Sequence, residues 1–362
     1  PSLAEAHINL GGVLLIQGNM KAAISSFRQA ILLDSNQIAA HINLGNTYLK
    51  QGKLDDAKIS FNHALNIDSV SPQALNGLAT TNMKDNNFKE VSEMFTRALK
   101  ILPDQPEILC NMGILLRSQG EFIASEKVLR KAISIQPKIL EFHINLGNTL
   151  KSQSDLEGAM DCYEYALSLD SENADAHWNK AQILLLLGHL EQGFLEYEWR
   201  TKCSDTQPLM WQPNGPRWDG SNLNGKVILI YCEQGLGDSI QFIRYVKLLN
   251  EMGAQVIVKC QPKLKELFEI IPEINEVIYP GKLPLDSTIT YDFHASFLSL
   301  PYLLGTTLET IPSKVPYLFL PRLRSKDLIK NGKKNIGIVW AGSSSHKNDQ
   351  HRSTTLENFK PI

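Results

Sequence analysis

The sequence predicts an α-solenoid of six helical pairs followed by an α/β domain built on a parallel sheet. Three observations predict it. A 34-residue period runs through the first two hundred residues without insertion; a Pro- and Gly-rich stretch with no period follows; and short apolar runs then alternate with helix-length segments. A chain of 362 residues suits more than one domain, and its apolar runs stop short of the ~18 residues a membrane span needs.

The period can be read position by position. Leu10, Leu44, Leu78, Met112 and Leu146 are each followed by a small residue, Gly11, Gly45, Ala79, Gly113 and Gly147. Further along each unit stand Phe27, Phe61, Phe95, Leu129, Tyr163 and Tyr197, and then Ala30, Ala64, Ala98, Ala132 and Ala166. Counted from Ala4 these are six units, giving a solenoid over residues 4–207. Each unit reads as two amphipathic helices: the small residue lets the second helix approach, and the large one fills the space between them. Gly18, Gly52, Gly120 and Gly188 fall at the turn between the helices, where a positive φ is useful, and Pro103 and Pro137 close two units. The last unit departs from the pattern, with Lys180 in place of Leu and Arg200 in place of Ala. Its second helix, ending Glu196-Tyr197-Glu198-Trp199-Arg200, is therefore expected to abut the next domain rather than another repeat.

This pattern resembles the tetratricopeptide repeat family. The resemblance implies a right-handed superhelix whose concave groove binds a protein or peptide. One residue before the recurring Leu position lie Asn9, Asn43, Asn111, Asn145 and Asn179, interrupted by Gly77 in the third unit. A primary amide both donates and accepts, so such a column can pair with the backbone of an extended peptide whatever its side chains. The column is similar to the asparagine ladder in the repeats of eukaryotic O-linked N-acetylglucosamine transferase, which implies that it holds an acceptor protein. The alternative is that these residues face solvent or bond within their own repeat.

Residues 208–225 form the linker, with Pro208, Pro213, Pro216, Gly215, Gly220 and Gly225; Trp211 and Trp218 are expected to anchor it against the flanking domains. Residues 226–334 then read as a doubly wound, Rossmann-like sheet. Val227–Tyr231 is a buried strand, a helix runs from Ser239 to about Glu251, and a strand at Gln255–Cys260 follows. After these come a helix at Pro262–Ile271, a strand at Glu276–Tyr279, a strand near Ile289–His294 and a helix at Phe297–Leu304. Residues 335–362 begin a second such half, with a strand at Asn335–Ala341 and a loop over Gly342–Ser353.

Ligands of such sheets bind at the carboxyl ends of the strands, which singles out Gly235, Gly237 and Asp238 after the first strand. The glycines let backbone approach a ligand, and Asp238 is either a catalytic carboxylate or a helix cap. The third glycine of a dinucleotide fingerprint is missing, which argues against NAD. Asp292 and His294 are expected at the same edge, the histidine as an acid or base or as a structural cap. Ser343, Lys347 and Arg352 in the later loop suit a phosphate cradle, with a plain exposed loop as the alternative.

The segments E-Q-G-L-G-D-S-I-Q-F-I-R-Y, Y-D-F-H-A-S-F-L-S-L-P and G-I-V-W-A-G-S-S-S-H-K-N-D-Q-H-R-S resemble bacterial tetratricopeptide proteins fused to a heptosyltransferase-like domain of glycosyltransferase family nine, across residues 205–362. The resemblance implies a GT-B fold of two Rossmann halves, the first holding the acceptor and the second a nucleotide sugar. It implies Asp238 as the base that deprotonates the acceptor hydroxyl, and beside it His294 is expected to assist or orient the acceptor. Gly235, Gly237, Ser343, Lys347 and Arg352 would bind the donor phosphates. Neither a metal nor a cofactor is expected, the nucleotide sugar being a substrate. A second half needs on the order of 150 residues, and the sequence stops at Ile362. The expectation is a fragment that binds an acceptor better than it transfers sugar. The alternative function is a non-enzymatic scaffold with a degenerate transferase domain.

Charge and cysteine content add exclusions. The net charge of −2 offers no basic field for nucleic acid; residues 1–204 carry 18 basic against 23 acidic groups and the remainder 18 against 15. Five scattered cysteines without a C-x-x-C pair suggest neither a disulfide framework nor a zinc site, and a reducing cytoplasm is expected.

Overall fold

In the computed structural model, residues 2–83, 87–203, 213–233, 235–280 and 289–318 are described. The amphipathic period becomes twelve helices in six antiparallel pairs: α1 (Leu3–Ile16) with α2 (Met20–Leu33), α3 (Ile38–Lys50) with α4 (Leu54–Ile67), α5 (Pro72–Asn82) with α6 (Phe88–Ile101), α7 (Pro106–Ser118) with α8 (Phe122–Ile135), α9 (Leu140–Ser152) with α10 (Leu156–Leu169), and α11 (Ala174–Leu186) with α12 (Leu190–Tyr197). Ser2 and Glu5 form a capping box on α1, Asn19, Asp155 and Asn173 cap three other helices, and Pro72 and Pro106 occupy first-turn positions where the missing N–H costs nothing.

The small residue and the large one meet as the repeat pattern requires. A Cβ added at Gly11, Gly45, Gly113 or Gly147 would stand 2.4–2.7 Å from Phe27, Phe61, Leu129 or Tyr163, respectively. Those four large side chains and Phe95 are fully buried, as are Ala30, Ala64, Ala98, Ala132 and Ala166. The first helices of successive pairs touch one another (α1 with α3, α3 with α5, α7 with α9, α9 with α11), so they line the inner, more tightly curved face of the solenoid.

A 3₁₀ turn, Glu198–Lys202, ends the solenoid. The sheet contains β1 (Val227–Tyr231), β2 (Gln255–Lys259), β3 (Glu276–Ile278) and β4 (Phe293–Ser296), all parallel, in the order β3-β2-β1-β4. One face packs Ile228, Ile230, Val256, Val258 and Ala295 against α13 (Leu236–Phe242), α14 (Val246–Glu251) and α15 (Lys265–Phe268). Leu229, Ile257 and His294 lie on the other face. The linker residue Trp218 is buried, its indole donating to the Ser221 carbonyl at 2.9 Å. Backbone bonds from His294 to Pro216 and from Trp218 to His294 lay the linker alongside β4.

Several elements differ in their bounds from the sequence expectation. The fourth strand begins at Phe293 rather than near Ile289, because the Asp292 carboxylate accepts the Val227 N–H at 2.8 Å. Since β1 and β4 are parallel, that contact with the first residue of β1 puts Asp292 at the amino edge of the sheet, not the carboxyl edge. The helix expected from Ser239 starts at Leu236 and is interrupted by a 3₁₀ turn at Ile243–Tyr245. The helix expected at Pro262–Ile271 shrinks to a 3₁₀ turn and the single turn α15. The one at Phe297–Leu304 shrinks likewise to a 3₁₀ turn and α16 (Leu300–Leu303). Trp211 and the strand and loop expected over 335–353, with Ser343, Lys347 and Arg352, lie outside the described residues.

Candidate functional site

Two surfaces concern function: the inner face of the solenoid and the carboxyl edge of β1. On the inner face the asparagine column occupies first helices, and Asn111, Asn145 and Asn179 contact the repeat before. Asn111 Nδ2 donates to Asn76 Oδ1 at 3.0 Å and to Thr80 Oγ1 at 3.3 Å, and Asn145 Nδ2 donates to Cys110 Sγ at 3.4 Å. Asn179 Nδ2 donates to the Asp175 carbonyl of its own helix, and its Oδ1 accepts from Lys151. Asn9 is exposed, and Asn43 is half-buried with its carbonyl accepting from Thr47. The interruption of the column also has a reason. A Cβ at Gly77 would stand 2.3 Å from the Phe61 ring, so no side chain fits there, and the amide of the third repeat is supplied one residue earlier by Asn76. Sequence reasoning missed Asn76 because it sits one residue out of phase.

Beside the column lie Arg117 and Lys151, 34 residues apart and therefore at the same place in successive repeats. Lys151 Nζ donates to Asn179 Oδ1 and Gln182 Oε1, both at 3.1 Å. Burial, with Arg117 adding to it, pushes the lysine down to about 8. Burial also lowers Arg117, whose Nε is inaccessible and has no hydrogen-bond partner. The Tyr163 hydroxyl, whose own ionisation burial suppresses, donates to Asn148 Oδ1 at 2.8 Å.

At the sheet edge β1 leads into Cys232 and Glu233, and α13 starts with Gly235 as its N-cap. Asp238 Oδ2 accepts the Gly235 N–H at 3.2 Å, so one of its two oxygens serves as a cap. Gly235 and Gly237 are exposed, and no side chain crowds Gly237. His294 pairs with Leu229 in the middle of β1, two residues short of Tyr231 at the edge. It is buried, its Nε2 lies 3.2 Å from the Gly215 carbonyl and its Nδ1 has no partner; burial lowers its pKa against the opposing effect of that carbonyl. No hydrogen bond joins Asp238 and His294 among the described residues.

The solenoid reaches this edge. Arg200, fully buried, donates through Nε and Nη2 to the two Glu233 oxygens at 2.9 and 3.0 Å, and through Nη1 to Glu198 Oε1 at 2.7 Å. Its Nη2 also reaches Ser299 Oγ at 2.9 Å, and Nη1 the Tyr197 carbonyl at 3.1 Å. Burial opposes the charge, but Glu233 and Glu198 outweigh it and raise the Arg200 pKa. Glu198 in turn holds Arg217 of the linker. Burial and the neighbouring Glu233 push the Tyr231 hydroxyl up to about 12.

Comparison with known proteins accounts for the solenoid. A tetratricopeptide repeat model matches residues 2–69, another matches residues 106–139, and a TPR repeat model matches residues 147–188. The N-terminal solenoid is an array of tetratricopeptide repeats. The chain is similar to Protein FlbA of Caulobacter vibrioides, 27% identical over 153 residues that cover 38% of this chain and 26% of FlbA. It thus spans about a quarter of that relative. Among solved structures it is similar to the APC/C hetero-tetramer Cut9–Hcn1, with 16% identity and a TM-score of 0.52 over 56% of this chain and 40% of that one. It is also similar to PilW, a type IV pilus biogenesis factor, with 21% identity and a TM-score of 0.50 over 58% of this chain and 96% of that one. At such identities the likeness is one of fold. Among the described residues no helix is long and apolar enough to cross a membrane, and no disulfide joins any of the five cysteines.

Proposed function

We propose that the tetratricopeptide groove recruits a protein and presents it to the acceptor-side half of a sugar transferase, the parallel sheet. The observation that carries this reading is the buried Arg200–Glu233 pair, because it ties the last repeat to the residue that leads from β1 into the Gly235–Asp238 loop. The strand order supports it as well. In β3-β2-β1-β4 the order reverses between β1 and β4, and ligands of doubly wound sheets bind outside the carboxyl ends at such a switch point. Asp238 stands there with one oxygen left for a substrate.

In this reading Asp238 accepts the proton of an acceptor hydroxyl as its oxygen attacks the anomeric carbon of a nucleotide sugar. The bond from that carbon to the diphosphate breaks, and the diphosphate leaves with the electron pair. Gly235 and Gly237 keep the loop low beside the substrate. Ser343, Lys347 and Arg352 are the proposed donor-phosphate contacts. His294, buried in mid-strand, would orient the edge rather than touch the acceptor.

A second reading, a non-enzymatic scaffold, is favoured by the use of Asp238 as a cap and by the burial of His294. The discriminating experiment measures nucleoside diphosphate released from a panel of nucleotide sugars by the parent protein and by Asp238→Asn. Asparagine keeps an oxygen to cap Gly235, so the fold should hold. The transferase reading expects turnover to fall ~100-fold or more. Absence of donor binding by the parent protein would overturn it in favour of the scaffold.

A further inference from the structure

The ends of β1 and β2 place two cysteines side by side. Tyr231 is in register with Lys259, and the Cys232 N–H donates to the Lys259 carbonyl at 3.1 Å, so the pairing runs on past Tyr231. The next residues along the two strands are Cys232 and Cys260. Side chains alternate between the faces of a strand, which puts both sulfurs on the face of Ile230 and Val258. Cys260 is buried there, in the core shared with α13, α14 and α15, and Cys232, half-buried, packs against the same core. Parallel neighbours lie about 4.8 Å apart, within the roughly 4.4–6.8 Å between Cα atoms that a disulfide can span. The other three cysteines belong to the solenoid, in α7, in α10 and at the end of its final turn.

The two thiols are not equivalent. Burial pushes Cys232 up to about 11, against the Ser239 hydroxyl and the Gln261 N–H, which favour its thiolate. Burial, with Cys232 adding to it, pushes Cys260 up to about 12. Cys232 is thus the more exposed and the more readily ionised, so it is the sulfur that meets an oxidant, and Cys260 stands beside it as the sulfur that resolves the product. Gln261 directly follows Cys260, so the backbone that favours the Cys232 thiolate is the backbone that carries its partner.

We propose that Cys232 and Cys260 are a reversible dithiol–disulfide pair whose oxidant is a small-molecule disulfide, and that their bridge clamps the carboxyl edge where the Gly235–Asp238 loop begins. The Cys232 thiolate attacks one sulfur of the small disulfide, and the other sulfur leaves as a thiolate with the electron pair of the broken bond. Cys260 then loses its proton and attacks Cys232 Sγ, expelling the second small thiolate. Two protein thiols are oxidised, one small disulfide is reduced to two thiols, and the two protons pass from the protein to them. Bridging draws the Cys232 sulfur toward β2 and away from Ser239, the buried residue near the start of α13 whose hydroxyl donates to the Gly235 carbonyl at 3.1 Å. The pair is independent of the transferase reading, and its test measures no sugar transfer.

The test incubates the whole chain with oxidised glutathione, blocks the remaining thiols with iodoacetamide in denaturant, and reads the digested peptides by mass spectrometry. A peptide pair joined through Cys232 and Cys260 should form in most chains and vanish on treatment with dithiothreitol. In the bridged form the Ser239 amide should exchange hydrogen about fivefold faster or more. Cys260→Ser should instead stop at one glutathione on Cys232, and Cys232→Ser should leave Cys260 a free thiol. Alkylation of both cysteines in the treated parent protein, or glutathione held on Cys232 without the bridge, would overturn the pair with no reliance on any variant folding. A bridge that leaves Ser239 exchange unchanged would overturn the clamp.

Discussion

Replacing Arg200 by Met tests whether the solenoid and the sheet are joined by more than a covalent link. Among the described residues the side chain makes five hydrogen bonds, two of them a bidentate clasp on Glu233, and neither partner of that clasp is reached by solvent: side-chain exposure is 0% for Arg200 and 2% for Glu233. Solvent screening therefore offers no discount, and Met leaves the Glu233 carboxylate buried without a counter-charge. Breaking a pair of this kind costs about 3–5 kcal/mol. Hydrogen exchange at the β1 amides reads the opening of the sheet directly, and that cost corresponds to a loss of protection of about two to three and a half orders of magnitude. Arg200→Met combined with Glu233→Met removes both charges, and should restore most of the protection because the penalty comes from the stranded carboxylate. If Arg200→Met changes β1 exchange by less than about fivefold, equivalent to roughly 1 kcal/mol, the pair does not hold the domains and the reasoning fails.

Two further outcomes follow from the repeat geometry. Ser154 stands where other repeats have Gly18, Gly52, Gly120 and Gly188, and it shares their positive φ, at 66°. Ser154→Gly should raise the free energy of unfolding by about 0.5–1 kcal/mol, read from the midpoint of a urea melt. In α1 two adjacent glycines should respond oppositely to the same substitution. Gly12→Ala meets nothing within 4 Å and should stabilise by about 0.5–1 kcal/mol, while Gly11→Ala drives a methyl to 2.4 Å from the Phe27 ring and should cost about 1–3 kcal/mol. Equal effects at the two positions would show that the ring moves aside.

The solenoid was legible because its information is periodic. A contact such as Gly45 against Phe61 recurs in four of the six units, so the copies average away the accidents of any one. The same logic extends to a contact outside the repeat signature: His41, His143 and His177, separated by multiples of 34, each place Nε2 about 3 Å from the carbonyl six residues earlier, at Ser35, Pro137 and Ser171. The α/β part has no second copy of itself to compare. Its strands were found from apolar runs, but Asp292 was misplaced to the wrong edge because a single carboxylate bonding to Val227, 65 residues away, decides where β4 starts. The asparagine column was legible as a column and illegible in its partners, since Asn111 and Asn145 meet residues 35 positions back and only the packed array shows that offset.

Arg200 joins these two kinds of information. It occupies the position that Ala166 fills one repeat earlier, where a small side chain is buried between helices. With no seventh helical pair to pack against, that position becomes a vacancy at the end of the array, and an arginine there can cross it and meet Glu233 at the end of β1. Glu198, two residues earlier, extends the contact to Arg217, which bridges to His294 on β4. One change from Ala to Arg in the repeat pattern thus converts a packing position into a docking position. It also makes the orientation of the groove depend on the same carboxylate that sets where the Gly235–Asp238 loop begins. Under the proposed function, a protein held along the asparagine column would then be presented to the β1 edge in one orientation rather than on a tether, which is the condition a recruiting groove must satisfy to serve a reaction at that edge.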